Sequence, residues 1–302
     1  MKPIIILLLL LTTCTITGNT VLPVEENNQQ KIQVYFCEKE NCEQTLTDLI
    51  INAKNTDCAL YSLKSEKILN ALKEKNARVT IESDNKKDFQ QLKFKEDNKR
   101  SLMHNKFCII DGKIITGSWN PADRTKTANN IVAIESKFLS KNYEEEFEEL
   151  WNWNENEKTA KYPQIILNGK LIENYFCPED NCQEHVLENL KSAKESIKFM
   201  TYSFTDEKIA DLLLEKSSQI SVSGIFDSSQ LNEWSQQEKL QDLSIAKKGV
   251  HHKVFIIDDK TAITGSYNPT NNGNKNNDEN ILIIHDDEVT QKFTEEFNSL
   301  FR

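Results

Sequence analysis

Two segments of the chain each carry a histidine and a lysine two residues apart. The first pair is His104 and Lys106, and the second is His251 and Lys253. Side chains two positions apart on a β-strand point to the same face, so each segment would present an imidazole and an ammonium group together. A neutral imidazole can attack phosphorus, a protonated one can give its proton to a leaving oxygen, and ammonium groups neutralise phosphate oxygens. The pairs predict chemistry on a phosphodiester that requires neither a metal ion nor a cofactor.

Each segment continues through an aspartate and returns to the sequence Gly-Ser-x-Asn. The aspartates are Asp111 and Asp258, and the returning residues are Ser118, Asn120, Ser266 and Asn268. The pattern predicts a hairpin whose glycine permits the close approach of a neighbouring backbone. The hydroxyl and amide groups that follow can hydrogen-bond to an oxyanion. Each set could hold one phosphate-sized anion, and two facing sets would supply both a nucleophile and an acid.

The two segments belong to a duplication of nearly the whole chain. Residues 35–37 (Tyr-Phe-Cys) recur as residues 175–177, Asp84 recurs as Asp227, and the motif histidines lie 147 residues apart. Each copy alternates apolar strand-like runs with amphipathic helical patterns, which predicts an α/β fold with a mixed sheet flanked by helices. Two similar halves most simply pack about a pseudo-two-fold axis with one active site between them. One chain should therefore be sufficient for one active site.

The halves are expected at residues 31–153 and 164–302, joined by a polar linker at 154–163. Residues 1–18 have the layout of a secretory signal, and residues 19–30 are polar enough to serve as a tether. Residues 11–14 also resemble the lipobox of bacterial-type lipoproteins, which makes Cys14 a candidate for lipid modification. The protein is thus expected to be exported, and either secreted or anchored to a membrane.

Four of the seven cysteines form two identical spacings, Cys37 with Cys42 and Cys177 with Cys182. In an oxidising compartment this pattern favours two short-loop disulfides. A zinc site made by the four cysteines together is the alternative. Cys58 and Cys108 lie in apolar runs and are expected to be unreactive thiols in the core.

The formal net charge of −10 disfavours a protein that holds nucleic acid by its overall field. With 38% hydrophobic and 28% charged residues, the composition is typical of a globular protein. Basic residues nevertheless flank the two motifs and could form a positive rim suited to a polyanion. They are Lys93, Lys95, Lys99, Arg100, Arg124, Lys126, Lys247 and Lys248. Trp119 and Tyr267, inside the Gly-Ser-x-Asn segments, could stack a base or pack in the core.

At the motif residues the chain resembles the phospholipase D superfamily, whose signature is His-x-Lys-x4-Asp followed by Gly-Ser-x-Asn. The resemblance covers about residues 31–302 and is strongest to the small nuclease-like branch. It implies that one motif histidine forms a covalent phosphohistidine while the other protonates the leaving alcohol and then activates water. It also implies that the motif lysines and asparagines hold the phosphate with help from Ser118 and Ser266, and that Asp111 and Asp258 are structural.

The two copies differ where the family places a carboxylate that orients a motif histidine. The second copy has Glu279 at this position, whereas the first has Asn129. If the orienting residue reaches across the axis, Glu279 supports His104, which favours His104 as the nucleophile and His251 as the general acid. The interpretation is a metal-free phosphodiesterase, most plausibly nuclease-like. The alternatives are a phospholipase D acting on phospholipid head groups or cardiolipin, and a binding protein without turnover.

Overall fold

A computed structural model describes residues 22–82, 89, 92–97, 101–121, 127–152 and 158–302. The predicted signal segment and Cys14 lie outside the described residues, as do Asp84 and residues 154–157 of the predicted linker. Within the described ranges, no helix combines the length and the apolar character needed to cross a bilayer. The boundaries of the two halves stay predictions.

Half 1 follows a short N-terminal strand, β1 (Val24–Glu26). Its elements are β2 (Gln33–Phe36), α1 (Cys42–Asn52), β3 (Thr56–Leu60), α2 (Glu66–Glu74), β4 (Arg78–Glu82), β5 (Lys93–Asp97), β6 (Lys106–Ile110), β7 (Lys113–Gly117), β8 (Asn130–Glu135) and α3 (Lys137–Asn152). The sheet of half 1 has seven strands in the order β2-β8-β7-β6-β3-β4-β5. It is mixed, because β3, β4 and β5 run parallel while the other neighbouring pairs are antiparallel.

Half 2 repeats this plan. Its elements are β9 (Gln164–Leu167), β10 (Lys170–Cys177), α4 (Cys182–Ser192), β11 (Ser196–Thr201), α5 (Glu207–Ser217), β12 (Ser221–Asp227), β13 (Ser244–Lys247), β14 (Lys253–Ile257), β15 (Thr261–Gly265), α6 (Asn271–Lys275), β16 (Glu279–Ile284) and α7 (Asp287–Leu300). The second sheet has nine strands in the order β1-β9-β10-β16-β15-β14-β11-β12-β13. From β10 onward this order matches that of half 1 strand for strand, so the predicted duplicated α/β fold is confirmed.

Local sequence accounts for where the helices start. Ser65 accepts a hydrogen bond from the backbone N–H of Ile68 at the start of α2, and Asp206 does the same for Ile209 at the start of α5. Such side chains satisfy N–H groups that the first turn of a helix leaves unpaired. The motif strands β6 and β14 are buried at every position, which fits their continuous apolar runs.

Three hydrophobic clusters hold the layers together. One lies between α1, α2 and the sheet of half 1, and a second lies between α4, α5 and the sheet of half 2. The third combines the inner faces of both sheets with the apolar stripes of α3 and α7, including Tyr143, Phe147, Phe293 and Phe297. Because this shared core contains residues of both halves, the relative position of the halves is fixed by packing.

Part of the expected N-terminal tether is an ordered strand. Val24 to Glu26 pair with β9 of half 2 in parallel. The carboxylate of Glu26 also accepts hydrogen bonds from the Ser136 hydroxyl and from the backbone N–H of Lys137, at the start of α3 in half 1. Residues 24–26 therefore connect the two halves, and the tether expectation is wrong for this stretch.

Three disulfides are present among the described residues. Cys37–Cys42 and Cys177–Cys182 confirm the short-loop prediction, and the four-cysteine zinc site is wrong because both pairs are oxidised. The expectation of unreactive thiols at Cys58 and Cys108 is also wrong, because these residues form the third disulfide. They lie directly opposite each other on antiparallel β3 and β6, a pairing that a separation of 50 residues does not reveal. Three disulfides are compatible with an extracytoplasmic protein.

Candidate active site

The two motif segments meet at the boundary between the halves. The backbone N–H of His104 donates to the Asp278 carbonyl at 3.0 Å, and that of His251 donates to the Ala128 carbonyl at 2.9 Å. Each hydrogen bond joins the residue just before a motif strand of one half to the segment before β8 or β16 of the other. These two equivalent crossings bring both motif histidines to the interface.

Side chains on the central strands also form hydrogen bonds between the two halves. The Asn130 amide donates to the Thr264 hydroxyl at 2.7 Å, and the Thr116 hydroxyl donates to the Asn280 carbonyl oxygen at 2.9 Å. All four side chains are buried, so the low dielectric strengthens these bonds and makes their loss costly. The floor beneath the histidines is therefore a satisfied polar network shared by both halves.

The His104 ring is held by a carboxylate from the other half. Its Nδ1 lies 2.7 Å from Oε2 of Glu279, whose side chain is fully buried. A carboxylate at this distance fixes the proton on Nδ1 and leaves Nε2 as the free lone pair. Burial lowers the pKa of His104 to about 4, although the Glu279 charge acts in the opposite direction. His104 is thus a neutral imidazole at neutral pH.

The His251 ring is held by an amide instead. Its Nδ1 lies 2.7 Å from Oδ1 of Asn129 and 3.1 Å from the Ser118 carbonyl, both in half 1. Both partners are acceptors, so Nδ1 carries the proton, and the Nε2 lone pair faces Nζ of Lys253 at 3.3 Å. Burial lowers the pKa of His251 well below its usual value, and the neighbouring charge of Lys253 lowers it further.

Each motif lysine lies against a tyrosine and its own histidine backbone. Nζ of Lys106 donates to the His104 carbonyl at 2.6 Å and lies 5.0 Å from the centroid of the Tyr61 ring. Lys253 makes the same contacts, 2.8 Å to the His251 carbonyl and 5.0 Å to the Tyr202 ring. Burial lowers the pKa of Lys106 to about 7 and that of Lys253 well below its usual value. An anion between the two ammonium groups would raise both values, which is the electrostatic signature of a phosphate site.

The two tyrosines are site residues whose role the motif analysis missed. Tyr61 contacts the His104 ring at a centroid distance of 4.8 Å, and Tyr202 contacts the His251 ring at 4.5 Å. Each tyrosine follows the strand next to a motif strand, so it lies beside the histidine through sheet pairing. Their recurrence in the duplication was the available signal. We assign them to positioning the imidazole and ammonium groups.

The Gly-Ser-x-Asn segments cross close to the neighbouring strand. A Cβ at Gly117 would lie 2.3 Å from the Asn130 carbonyl oxygen, and one at Gly265 would lie 2.1 Å from that of Asn280. These glycines also have φ angles of +151° and +148°, which side chains disfavour. Only glycine fits at this crossing.

The serines and asparagines that follow do not all face the centre. Ser118 and Ser266 are fully buried, and their hydroxyls accept hydrogen bonds from the backbone N–H groups of Asn130 and Asn280. The structure thus places both serines against β8 and β16 rather than as direct phosphate ligands. Asn120 and Asn268 are partly exposed, and the Asn120 side-chain oxygen is a buried acceptor with no hydrogen-bond partner among the described residues.

Two segments of the chain, residues 28–151 and 186–301, match the family model described as "Cardiolipin synthase, PLD-like domain". Together they span well over half of the sequence, and each contains one complete motif set. The chain belongs to the phospholipase D superfamily.

Relatives within the superfamily match either one half or the whole chain. A phospholipase D from Rickettsia bellii is 30% identical over 152 residues, which is 47% of this chain and 75% of the relative. NucT from Helicobacter pylori is 27% identical, with a TM-score of 0.38, and the match covers 43% of this chain and 95% of NucT. The phosphatidylserine synthase of Haemophilus influenzae has a TM-score of 0.67 at 12% identity, covering 93% of this chain and 88% of that protein. At 12% identity, this last likeness shows the fold alone.

The two aspartates of the motif segments, Asp111 and Asp258, lie away from the motif histidines. Asp111 and Asp258 occupy the hairpin turns with positive φ angles, at the opposite ends of β6 and β14. Asp111 accepts from the backbone N–H groups of Lys54 and Asn55, and Asp258 accepts from three consecutive N–H groups beginning at Lys194. These hydrogen bonds lower the pKa of both carboxyl groups and tie each motif hairpin to the corner before β3 or β11.

Two other carboxylates hold the backbone just ahead of the motif histidines. Glu82 accepts from the Met103 N–H at 2.7 Å, and Asp227 accepts from the N–H groups of Gly249 and Val250 at 2.7 Å. Strand pairing makes Glu82 the counterpart of Asp227, so the sequence alignment of Asp84 with Asp227 is wrong by two positions. A Glu in one copy and an Asp in the other concealed this equivalence.

Several residues considered for the site prove to be structural. Trp119 and Tyr267 are buried in the outer cores of the two halves, which leaves no face for stacking a base. Of the proposed basic rim, Lys99, Arg100, Arg124 and Lys126 lie outside the described residues. Lys95 and Lys247 donate to the backbone carbonyls of Trp151 and Leu300, whereas Lys93 and Lys248 are exposed. The described part of the chain therefore gives the rim little support.

The donor set at the centre is suited to an anion. It consists of two imidazoles, two ammonium groups and amides, with Glu279 already engaged by His104 and by the Asn277 amide. Among the described residues, no group of three or more histidine, cysteine or carboxylate side chains is arranged to bind a metal ion. The Nε2 atoms of His104 and His251, one from each half, are the ring nitrogens that the opposite half does not engage.

Proposed function

We propose that this protein is an exported phosphodiesterase that works through a covalent phosphohistidine, with nucleic acid as its preferred substrate. One observation carries the proposal. Two histidines from different halves are each fixed at Nδ1 by a residue of the opposite half, and two buried lysines each donate to the carbonyl of their own histidine. Fixed imidazoles and unneutralised ammonium groups are the requirements for in-line attack on a phosphodiester anion.

In the first step, Nε2 of His104 attacks phosphorus and forms an N–P bond. The P–O bond to the leaving group breaks, and the departing oxygen takes the proton from Nε2 of His251. His251 must be protonated for this step, although burial and Lys253 lower its pKa in the free protein. The bound phosphate supplies the negative charge that raises this pKa in the complex.

In the second step, neutral His251 accepts a proton from a water molecule that attacks phosphorus. The N–P bond breaks, His104 leaves as a neutral imidazole, and the product is a phosphomonoester. Lys106, Lys253, Asn120 and Asn268 hold the phosphate oxygens through both steps. All these groups come from one chain, so we propose that a monomer is sufficient for one active site.

The assignment of His104 as nucleophile rests on Glu279. A phosphorylated imidazole carries a positive charge, and a buried carboxylate 2.7 Å from Nδ1 stabilises that charge. Asn129 offers His251 only an amide oxygen. The covalent intermediate is therefore more stable on His104 than on His251.

Export and substrate class have separate support. The three disulfides fit an oxidising compartment, and the predicted signal segment would deliver the chain there. The second candidate function is hydrolysis of phospholipid head groups, because the Rickettsia bellii relative carries the name phospholipase D. Nucleic acid is preferred here because the exposed surface beside the centre is polar and rich in asparagine.

The test is a substrate panel combined with trapping of the intermediate. The mature chain is assayed on single-stranded DNA, RNA and mixed phospholipid vesicles, with and without EDTA. We expect cleavage of nucleic acid that EDTA does not abolish, and loss of activity in both His104→Asn and His251→Asn. An acid-labile phosphoenzyme should form in His251→Asn and be absent in His104→Asn. The reverse pattern would exchange the two roles, and release of head groups without nucleic-acid cleavage would favour the second candidate.

A further inference from the structure

One loop beside the active site has no counterpart of the same length in half 1. Sixteen residues separate β12 from β13, whereas ten separate β4 from β5. The longer loop carries Trp234, which is 70% exposed and is the most exposed large hydrophobic residue of the two described halves. An exposed tryptophan forgoes a large part of the free energy that burial would provide, so its position calls for an explanation in terms of binding.

Hydrogen bonds and a buried leucine hold the loop in place, so the exposure of Trp234 does not result from a poorly packed loop. The Gln236 N–H donates to the Phe204 carbonyl at 3.0 Å, and Leu240 is fully buried in the outer core of half 2. Nearer the histidines, Gln230 donates to the Tyr202 hydroxyl at 2.9 Å. The backbone of Trp234 itself donates to the Asn232 side chain at 2.9 Å. A loop anchored in this way can present a side chain to a ligand with little further loss of backbone conformational entropy.

Trp234 forms one wall of a pocket that is also lined by a residue of the second motif segment. The pocket has a volume of about 350 Å³, and its other walls include Ser203, Thr205, Asn232, Asn268 and Asn277. Asn268 is the motif asparagine of half 2, and Asn277 contacts Glu279, the partner of His104. A group bound here would lie next to the phosphate held by the histidines.

The lining selects for a flat, uncharged group with several hydrogen-bonding edges. It consists of amides, hydroxyls and one indole, and it contains no charged side chain. Asparagine amides present a donor and an acceptor together and match the edges of nucleobases, while an indole face stacks any base. The volume lies at the lower end of the range for ligand pockets, which suits one base better than an acyl chain.

The surrounding charges argue against a membrane at this surface. The loop carries Glu233, Glu238 and Asp242 against the single Lys239. Surfaces that dock on anionic lipid use clusters of basic residues around their apolar anchors. Here only Leu231, 39% exposed, accompanies the tryptophan.

We propose that the pocket between Trp234 and Asn268 is a nucleobase subsite, in which one base of the substrate stacks on Trp234 while its phosphate lies at the histidines. The proposal rests on the proposed phosphodiesterase function and adds a specificity-determining residue to it. Trp234 contacts the base and takes no part in proton transfer or phosphorus chemistry.

The experiment compares Trp234→Ala, Trp234→Phe and Leu231→Ala on a single-stranded DNA oligonucleotide and on an oligonucleotide of equal length without bases. We expect Trp234→Ala to raise KM on the normal strand about 5- to 150-fold, the equivalent of one lost stacking contact, with little change in kcat. Trp234→Phe should recover most of the loss, and Leu231→Ala should resemble the parent protein. On the strand without bases, Trp234→Ala and the parent protein should be equal.

Three outcomes would overturn the subsite. They are an equal effect of Trp234→Ala on both strands, no effect on either strand, or an effect confined to head-group release from vesicles of phosphatidylcholine and phosphatidylglycerol. Failure of the proposed function looks different, because the parent protein would then cleave neither strand and form no phosphoenzyme. In that case, fluorescence anisotropy of a labelled single strand still tests the subsite, since Trp234→Ala should weaken binding by the same factor.

Discussion

The outer cores of the two halves solve one packing problem in two ways. In half 1, the central strands β3 and β6 carry the disulfide pair Cys58–Cys108. At the equivalent position in half 2, β11 and β14 carry Phe199 and Phe255, whose rings lie 6.2 Å apart. The next strand also differs, because Val79 lies beside Cys58 whereas Gly224 lies beside Phe199. Half 1 uses a covalent link between small side chains, and half 2 uses aromatic volume with a glycine that makes room for it.

The two halves of the active site likewise share most contacts of the motif histidines but differ in others. In both halves, the backbone N–H of the motif histidine donates to a carbonyl of the other half. A lysine and a tyrosine lie against each histidine in the same way. The difference lies around the two rings. Glu279 is opposite His104, whereas Asn129 and the Ser118 carbonyl are opposite His251, and Nζ of Lys253 lies 3.3 Å from the ring nitrogens of His251. The two halves share the contacts of the lysines and tyrosines, while the side chain beside Nδ1 of each imidazole differs. Exchanging the differing residues between halves is therefore the most informative experiment.

The largest effect is expected from Glu279→Gln. This change keeps the shape of the side chain but removes the charge that favours the proton on Nδ1 and stabilises a phosphorylated His104. We expect kcat to fall by about 10² to 10⁴, by analogy with the loss of a carboxylate that orients a catalytic histidine. The measurement is steady-state cleavage together with the yield of trapped phosphoenzyme.

The matched variant for that prediction is Asn129→Asp. It places a carboxylate beside His251, so the pKa of His251 should rise and the alkaline limb of the kcat/KM profile, where the general acid loses its proton, should move to higher pH. A large loss of activity in Asn129→Asp combined with no effect of Glu279→Gln would contradict the assignment of His104 as nucleophile.

Sequence alone supports the duplication, the class of fold and the identity of the central histidines and lysines. These follow because both motif sets are local in sequence and occur twice. What escaped prediction depends on strand pairing between distant residues. The Cys58–Cys108 disulfide and the match of Glu82 with Asp227 become visible only once β3 is placed beside β6 and β4. Trp234 escaped because it belongs to a loop that half 1 does not share, so the duplication gave no signal for it.

The second prediction compares removal of the disulfide in the outer core of half 1 with removal of an aromatic ring in the outer core of half 2. Joint replacement of Cys58 and Cys108 by alanine should lower the free energy of unfolding by about 2–4 kcal/mol, because the disulfide closes a loop of 50 residues. Phe199→Ala should cost about 3–5 kcal/mol through lost burial and the cavity it leaves. Both are measured by urea unfolding of the mature chain. A reductant opens all three disulfides, so it should lower the unfolding free energy of the parent protein by at least as much as the cysteine variant loses, while the penalty of Phe199→Ala stays unchanged. A Phe199→Ala penalty that vanished in reductant would contradict this division.

The third prediction concerns pH. Burial lowers the pKa of His104 to about 4, and it also lowers the pKa values of His251 and His252 below the ordinary value. Between the folded and unfolded pKa values the unfolded chain binds more protons, so stability falls as the pH drops through 6.5. For His104 the loss amounts to about 3 kcal/mol by pH 4, at 1.36 kcal/mol for each pH unit.

Urea unfolding at pH 7, 6 and 5 measures this slope. The variant His104→Asn should have a shallower slope than the parent protein, because its share of the proton uptake is gone. Equal slopes in the parent protein and His104→Asn would mean that His104 is charged in the folded state.

The smallest effect is expected from Gly224→Ala, which adds a single methyl group to the outer core of half 2. A Cβ at Gly224 would lie 1.9 Å from the Phe199 ring, so Gly224→Ala must displace that ring and should cost about 1–3 kcal/mol. In half 1 the corresponding residue is already Val79, which is tolerated because Cys58 is small. If side-chain volume alone decides the difference, Phe199→Leu should reduce the penalty of Gly224→Ala. A double-mutant cycle on unfolding free energies measures that coupling. Additive penalties would show that the glycine is required by its backbone rather than by the ring beside it, and the two halves would then differ in strand geometry as well as in packing.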